Sequence, residues 1–164
     1  MAGTATPATK LLDTQRVNHR VHSYTPDPRA ESFGSEAVDA LVDTVDVTAH
    51  QVFKTLVIKL DSGKLAVAVL PVPEKLSLKS AAAALGAGKA VMAIRAEAER
   101  STGYVFGGIS PLGQRKALPT VIDDSALTWD RVLCSGGRRG LEIELAPADL
   151  VRLCGAVTAA ITAG

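Results

Sequence analysis

Aromatic side chains are scarce in this chain, which carries one Trp, two Tyr and three Phe in 164 residues. So few rings cannot furnish a platform for stacking successive bases, and each aromatic outside the core becomes informative. Net charge is nearly absent as well, at +1. Binding that rests on many neutralised phosphates is thereby argued against, no DNA partner is expected, and only a local basic patch remains open. Cysteine is limited to Cys134 and Cys154, without CxxC or zinc-finger spacing, so both are expected to be reduced and structural. Histidine is limited to His19, His22 and His50, and the first two fall on opposite faces of a strand, so neither a metal nor another cofactor is expected. No apolar run approaches the ~20 residues that cross a bilayer. The opening MAGTATPATK lacks the apolar segment of a signal peptide, so no membrane partner and a cytoplasmic location are expected. The phosphate-cradling patterns GxxxxGK[ST] and GxGxxG are missing. The nearest approach to a GxSxG nucleophile elbow, at residues 108–112, puts Pro111 where a helix should begin and leaves Ser110 a poor nucleophile.

What is present suits one domain over residues 1–164: 47% hydrophobic residues and a mean hydropathy of +0.20 suffice for a core, and no repeat or linker divides the chain. Thr6 followed by Pro7 is a helix start, with residues 8–16 amphipathic and Leu11 and Leu12 inward. Residues 17–24 look extended and 25–33 form a loop. A second helix starts near Ser35, carries Val38, Leu41 and Val42 on one side, and ends before a turn at 43–48. Residues 52–60 and 64–72, rich in branched side chains around Asp61-Ser62-Gly63, read as a β-hairpin. Ser77 caps a helix over 78–85; residues 90–94 are a strand and 95–101 a helix. Residues 118–122, 131–135 and 141–145 are further strands, and Asp123-Asp124 reads as a solvated turn. Pro147 opens a last helix that carries Leu150, Leu153, Val157 and Ile161 at helical spacing. Helices scattered among paired strands predict an α+β fold with a mixed, curved sheet rather than a doubly wound parallel one.

Two features could carry chemistry. Period two on the first hairpin strand puts Lys54 on the more apolar face with Leu56 and Ile58, where an ammonium must snorkel, pair or serve a cavity; Lys59 reads as solvent-facing. Two glycine-rich, basic loops follow, RSTGYVFGGISPLGQRK at 100–116 and SGGRRG at 135–140. Adjacent glycines can turn main-chain N–H groups toward one oxygen, and the alternative is a connection whose glycines only satisfy turn geometry. Glu142 and Glu144 share one face of a strand and read as exposed. A cation and glycine loops without a strong base suit a substrate that is already activated.

The segments TPATKLL (6–12), HSYTPDP (22–28), QVFKTL (51–56), STGY followed by GGISPLG (101–113), LPTVID (118–123) and SGGRRGLEIEL (135–145) resemble, in order along nearly the whole chain, the YbaK family of bacterial aminoacyl-tRNA deacylases. The resemblance implies a barrel-like curved sheet surrounded by helices, and trans-editing hydrolysis of Cys-tRNA(Pro) in which the substrate's own thiol attacks its carbonyl. It implies Lys54, Gly107 and Gly108 as catalytic residues, the glycines through their N–H groups, and Tyr24, Phe33, Thr55, Ile109 and Ser135 as substrate-binding residues. The implied partners are the tRNA(Pro) acceptor end carrying cysteine and prolyl-tRNA synthetase. Phe53, Arg138 and Glu142 depart from the common pattern, which often has Tyr, Lys and Asp there; of the three, the resemblance implies that only Glu142 could touch the pocket and bear on substrate choice. Deacylation of Ala-tRNA(Pro) or another mischarged tRNA by water, and a non-catalytic tRNA- or synthetase-binding module, remain the alternatives.

Overall fold

The computed structural model of the chain describes residues 4–27, 33–42 and 44–164. The expected loop at 25–33 and turn at 43–48 fall partly outside these residues. Thr6 caps α1 (Pro7–Thr14) as its sequence demands: its hydroxyl accepts the Thr9 N–H, while Thr9 Oγ1 accepts the Thr6 N–H. The same Thr6 hydroxyl donates to the Gly136 carbonyl, so the cap also anchors the second glycine loop. There follow β1 (His19–Ser23), α2 (Phe33–Val42), and the hairpin of β2 (Phe53–Leu60) and β3 (Leu65–Pro71). Next come α3 (Leu78–Ala84), β4 (Ala90–Met92), α4 (Arg95–Thr102) and β5 (Thr120–Asp123). The chain closes with β6 (Val132–Ser135), β7 (Leu141–Leu145), α5 (Pro147–Cys154) and β8 (Val157–Ala159).

The α+β class with mixed strand pairing holds. The described strands sort into two ladders, one running β4-β2-β3-β5-β8 and the other β1-β7-β6. The first is mixed, with β5 parallel to both β3 and β8. A single parallel bridge from Val52 to Leu133 joins the ladders at the start of β2. Both faces of the β2–β3 hairpin are covered, which explains its near-continuous run of branched residues. Phe53, Val57, Val67 and Val69 pack with Leu12, Ile143 and Leu150. Ile58, Leu60, Ala66 and Ala68 pack with Ala81 and Ala82 of α3 and with Ile161. Lys59 is less solvated than its place in the pattern predicts, with Nζ 3.4 Å from Glu97 Oε1.

The largest departure from the sequence pattern is at the C-terminus. The spacing of Leu150, Leu153, Val157 and Ile161 predicts one continuous helix, yet α5 stops at Cys154 because Gly155 adopts the left-handed region at φ 57°. The chain then adds β8 to the sheet, with Val121 opposite Val157. Asp123 stabilises this ending. Far from lying in a solvated turn, it is buried, and its carboxylate accepts the N–H groups of Ile161 and Ser125 at 3.0 and 3.3 Å. Cys134 and Cys154 are both free thiols. Among the described residues no helix is long and apolar enough to cross a membrane.

Candidate active site

Where the two ladders meet, β2, the start of α2, the first glycine loop and the ends of β6 and β7 enclose a cavity of about 270 Å³. Apolar walls come from Ala37, Val52, Leu56 and Val72. Tyr24, Phe33, Phe53 and Phe106 also line it, so a chain with few aromatics concentrates them at one place.

Lys54 belongs to this cavity. It stands on β2 opposite Leu70, and its Nζ donates to the carbonyls of Val72 and Glu74 at 3.2 and 2.6 Å. Those carbonyls lie just beyond β3, so the hairpin itself fixes the amine, and a third N–H remains to meet a ligand. Burial lowers the Lys54 pKa, with the charge of Glu74 acting against it. The neighbouring Thr55 hydroxyl is buried with no hydrogen-bond partner among the described residues. Such an orphaned group costs about 1–3 kcal/mol, a cost that a bound polar ligand can remove.

The aromatic rim is held by charge. Phe33 opens α2, and the Arg139 guanidinium lies over its ring at 4.4 Å while pairing with Glu36 at 2.7 Å and donating to the Asp27 carbonyl. Phe106 meets Phe33 edge-on with centroids 6.0 Å apart, and its outer side is covered by Arg95 at 4.9 Å. Its N–H donates to Glu99 Oε2 at 2.6 Å. Tyr24 is tied to the second glycine loop by its N–H on the Gly140 carbonyl. Burial and the nearby Glu142 push its phenol up to about 12, so it remains a donor at neutral pH.

Of the first glycine loop, Gly107 and Ile109 line the cavity but Gly108 does not. Its N–H is committed to the Val105 carbonyl at 2.9 Å, so the two adjacent glycine amides do not converge on one oxygen in the cavity. Gly108 serves close packing instead. A β-carbon there would lie 2.5 Å from Arg138 Cα, which only glycine avoids. The basic residues Arg100, Arg115 and Lys116 are not in the lining either. The amides of Arg115 and Lys116 fasten the loop's end to Thr102 and Ser101. Ser135 lines the cavity, and its hydroxyl accepts the Gly137 N–H at 3.2 Å.

Glu142 and Glu144, expected to be exposed, are 6% and 8% accessible. The sequence hides this because β7 is covered on both faces. Glu144 is matched by His22 at 2.9 Å and Arg131 at 3.4 Å, whereas Glu142 lines the cavity. Burial pushes its carboxyl up to about 8. Phe106 was not singled out by the sequence pattern, although a ring inside a glycine loop of an aromatic-poor chain is a usable signal. Among the described residues no His or Cys side chain lines the cavity, so Ser135 and Thr55 have no imidazole there to activate them.

The sequence profile of the aminoacyl-tRNA editing domain matches residues 34–153. EbsC of Enterococcus faecalis, provisionally named a Cys-tRNA(Pro)/Cys-tRNA(Cys) deacylase, is 31% identical over 157 residues, covering 96% of this chain and 93% of its own. A crystal structure provisionally described as a trans-editing enzyme for prolyl-tRNA synthetase superimposes with a TM-score of 0.83 at 24% identity, over 100% of this chain and 99% of that one. A scaffold from a study of epitope grafting by computational design gives the same TM-score of 0.83 at 22% identity, with 100% and 99% coverage. At those identities the two structures speak for the fold alone.

Proposed function

The chain belongs to the aminoacyl-tRNA editing domain family, the YbaK family of the sequence resemblance, and from that premise we propose that residues 1–164 form one such domain and hydrolyse the ester joining cysteine to tRNA(Pro). One observation carries the reading: a cavity with a backbone-held ammonium and an orphaned hydroxyl, lined by no imidazole or thiol among the described residues. Such a site can hold and polarise an ester but is poorly equipped to attack it. The attack then falls to the substrate.

In this reading the thiol of the bound cysteinyl group adds to its own ester carbonyl. The bond from that carbon to the ribose oxygen breaks, the thiol proton ends on the ribose hydroxyl, and a strained cyclic thioester leaves to be hydrolysed in water. Lys54 offsets negative charge on the terminal phosphate or on the developing oxyanion with its remaining N–H, and the Gly107 amide faces the same charge. Thr55 meets a ribose or ester oxygen. Tyr24, Phe33 and Ile109 confine the aminoacyl group, and Ser135 borders it. Holding thiol and carbonyl together supplies the proximity that free solution lacks. The tRNA acceptor end is the macromolecular partner, and prolyl-tRNA synthetase, the source of the mischarged tRNA, is the second.

The test is a deacylation panel on tRNA(Pro) carrying cysteine, alanine or serine, run with wild type and Lys54→Ala. Wild type clears the cysteinyl ester and spares the other two, and the variant loses about 10²–10³ in rate, as for removal of one oxyanion donor elsewhere. Full activity of folded Lys54→Ala would refute the site. Equal clearance of alanyl and cysteinyl esters would refute the thiol mechanism in favour of water.

A further inference from the structure

Glu142 is the one cavity group for which neither the fold nor the chemistry above has a use. Its side chain is 6% accessible and lines the cavity. Among the described residues its carboxyl has no ion-pair or hydrogen-bond partner. Glu144, two positions along β7 and buried to the same extent, provides the contrast, because His22 and Arg131 both meet it. The fold therefore can satisfy a buried carboxylate on this strand and leaves the one at the cavity unsatisfied. Where a protein keeps such a group, a donor from a ligand is the natural complement.

The cavity is polarised. Lys54 comes from the five-stranded sheet and Glu142 from the three-stranded one. A ligand with an anionic or carbonyl end and a cationic end matches both. An aminoacyl ester is such a molecule, since a primary amine sits one carbon from the scissile carbonyl. We propose that Glu142 forms the subsite for the free α-amine of the aminoacyl group, accepting its N–H bonds and so making the site selective for aminoacyl esters over esters that lack or block that amine. This rests on the reading above that the cavity takes an aminoacyl ester. Burial of Glu142 without a partner keeps its carboxyl largely protonated in the empty cavity. On binding, carboxyl and amine share that proton as a carboxylate–ammonium pair, with Tyr24 and the buried Cys134 the other titratable groups beside it and Lys54 the cation of the lining. Glu142 is a binding and specificity residue in this scheme, separate from the bonds made and broken.

The experiment compares cysteinyl-tRNA(Pro) with 3-mercaptopropionyl-tRNA(Pro), which keeps the thiol and the ester and lacks only the amine. Wild type is expected to prefer the cysteinyl ester by at least tenfold in kcat/KM, chiefly through KM. Glu142→Gln is expected to erase most of that preference by weakening the cysteinyl substrate while leaving the desamino ester unchanged, and Glu142→Asp to retain part of it. Equal handling of the two esters by wild type, or equal slowing of both by Glu142→Gln, would overturn the proposal; the latter would mark Glu142 as a general acid or a purely structural group. Calorimetry with stable 3′-amide analogues of adenosine, carrying cysteine or 3-mercaptopropionate, reads the same preference without turnover. Absence of any deacylation by wild type would sink the function proposed above, whereas turnover indifferent to the amine would sink only this subsite.

Discussion

Replacing Gly107 by alanine perturbs the cavity wall at a single atom, and its cost can be worked out from two separate causes. Gly107 has φ +93°, a conformation that an L side chain adopts at a cost of about 1–3 kcal/mol. The new β-carbon would also stand 2.9 Å from Phe33 Cδ2 and 3.0 Å from Cε2, too close to be tolerated without movement. Phe33 is not free to swing, since Arg139 covers its ring and is itself fixed by Glu36. Forcing the ring off its rotamer adds about 0.5–1.5 kcal/mol. The sum is on the order of 2–4 kcal/mol, below the 5–15 kcal/mol that holds a typical domain together, so the variant should fold. Urea denaturation should show a lowered midpoint at unchanged slope, and thermal melting a drop of roughly 5–15 °C. The steric share is separable by a double-mutant cycle. In a Phe33→Leu background the same substitution should cost about 1 kcal/mol less, because the obstructing ring has gone. Additive effects of the two substitutions would refute the contact, and a melting temperature within a degree of wild type would refute the strained glycine as well.

Two further predictions concern the unsatisfied groups. Glu142 has a folded pKa of about 8 against an ordinary 4.5, so the folded state holds a proton that the unfolded state releases between those values. Stability should then fall as pH rises from about 4.5 to 8, by an amount on the order of 3–5 kcal/mol at most. Chemical denaturation across that range should show Glu142→Gln flattening the decline, and parallel curves for the two proteins would count against a buried, unpaired carboxyl. Thr55→Val removes the orphaned hydroxyl at nearly constant shape, so unliganded stability should hold or rise by about 1 kcal/mol while KM for the cysteinyl ester increases. A loss of stability with unchanged KM would mean that the hydroxyl is satisfied within the protein.

What the sequence made legible was local. Thr6-Pro7, Ser77 and the Asp61-Ser62-Gly63 turn specify their caps and hairpin by rules acting within a few residues, and these elements form as read. The C-terminal helix misled because its apolar spacing is shared by a continuous helix and by a helix followed by a short edge strand that leads to the buried Ile161. The deciding contact, Asp123 accepting the Ile161 N–H, spans 38 residues. Strand alternation misreads Glu142 and Glu144 for a related reason, although the family resemblance allows Glu142 a place at the pocket. Alternating charge on a strand normally marks a solvated face, and only tertiary packing reveals that this face closes over a cavity and over His22 and Arg131. Lys54 was legible as an anomaly, a cation on an apolar face, but its partners are main-chain carbonyls, which leave no trace in side-chain identity. The tie of Gly108 to Val105 is hidden in the same way.

The lining of the cavity also bears on how such a site could choose its substrate. Apolar walls discriminate weakly, since one group more or less in an apolar pocket is worth only about 1–3 kcal/mol. A cavity that admits a cysteinyl group admits the smaller alanyl group nearly as well, and nothing in walls of Ala37, Val52, Leu56 and Val72 would exclude it. A site that carried its own activated nucleophile would therefore hydrolyse whatever entered. Leaving the attack to the substrate changes this, because an ester without a side-chain thiol can bind and still not react. Under the proposed mechanism selectivity would reside in the chemical step rather than in fit, and prolyl-tRNA(Pro), which has no thiol, would be spared even if its ring occupied the cavity. The same logic assigns no choice of tRNA to these residues. A cavity of about 270 Å³ could take an aminoacyl end but leaves the body of a tRNA outside it. Protection of correctly charged Cys-tRNA(Cys) would then have to come from outside the cavity, through a partner that holds one tRNA within reach and keeps the other away.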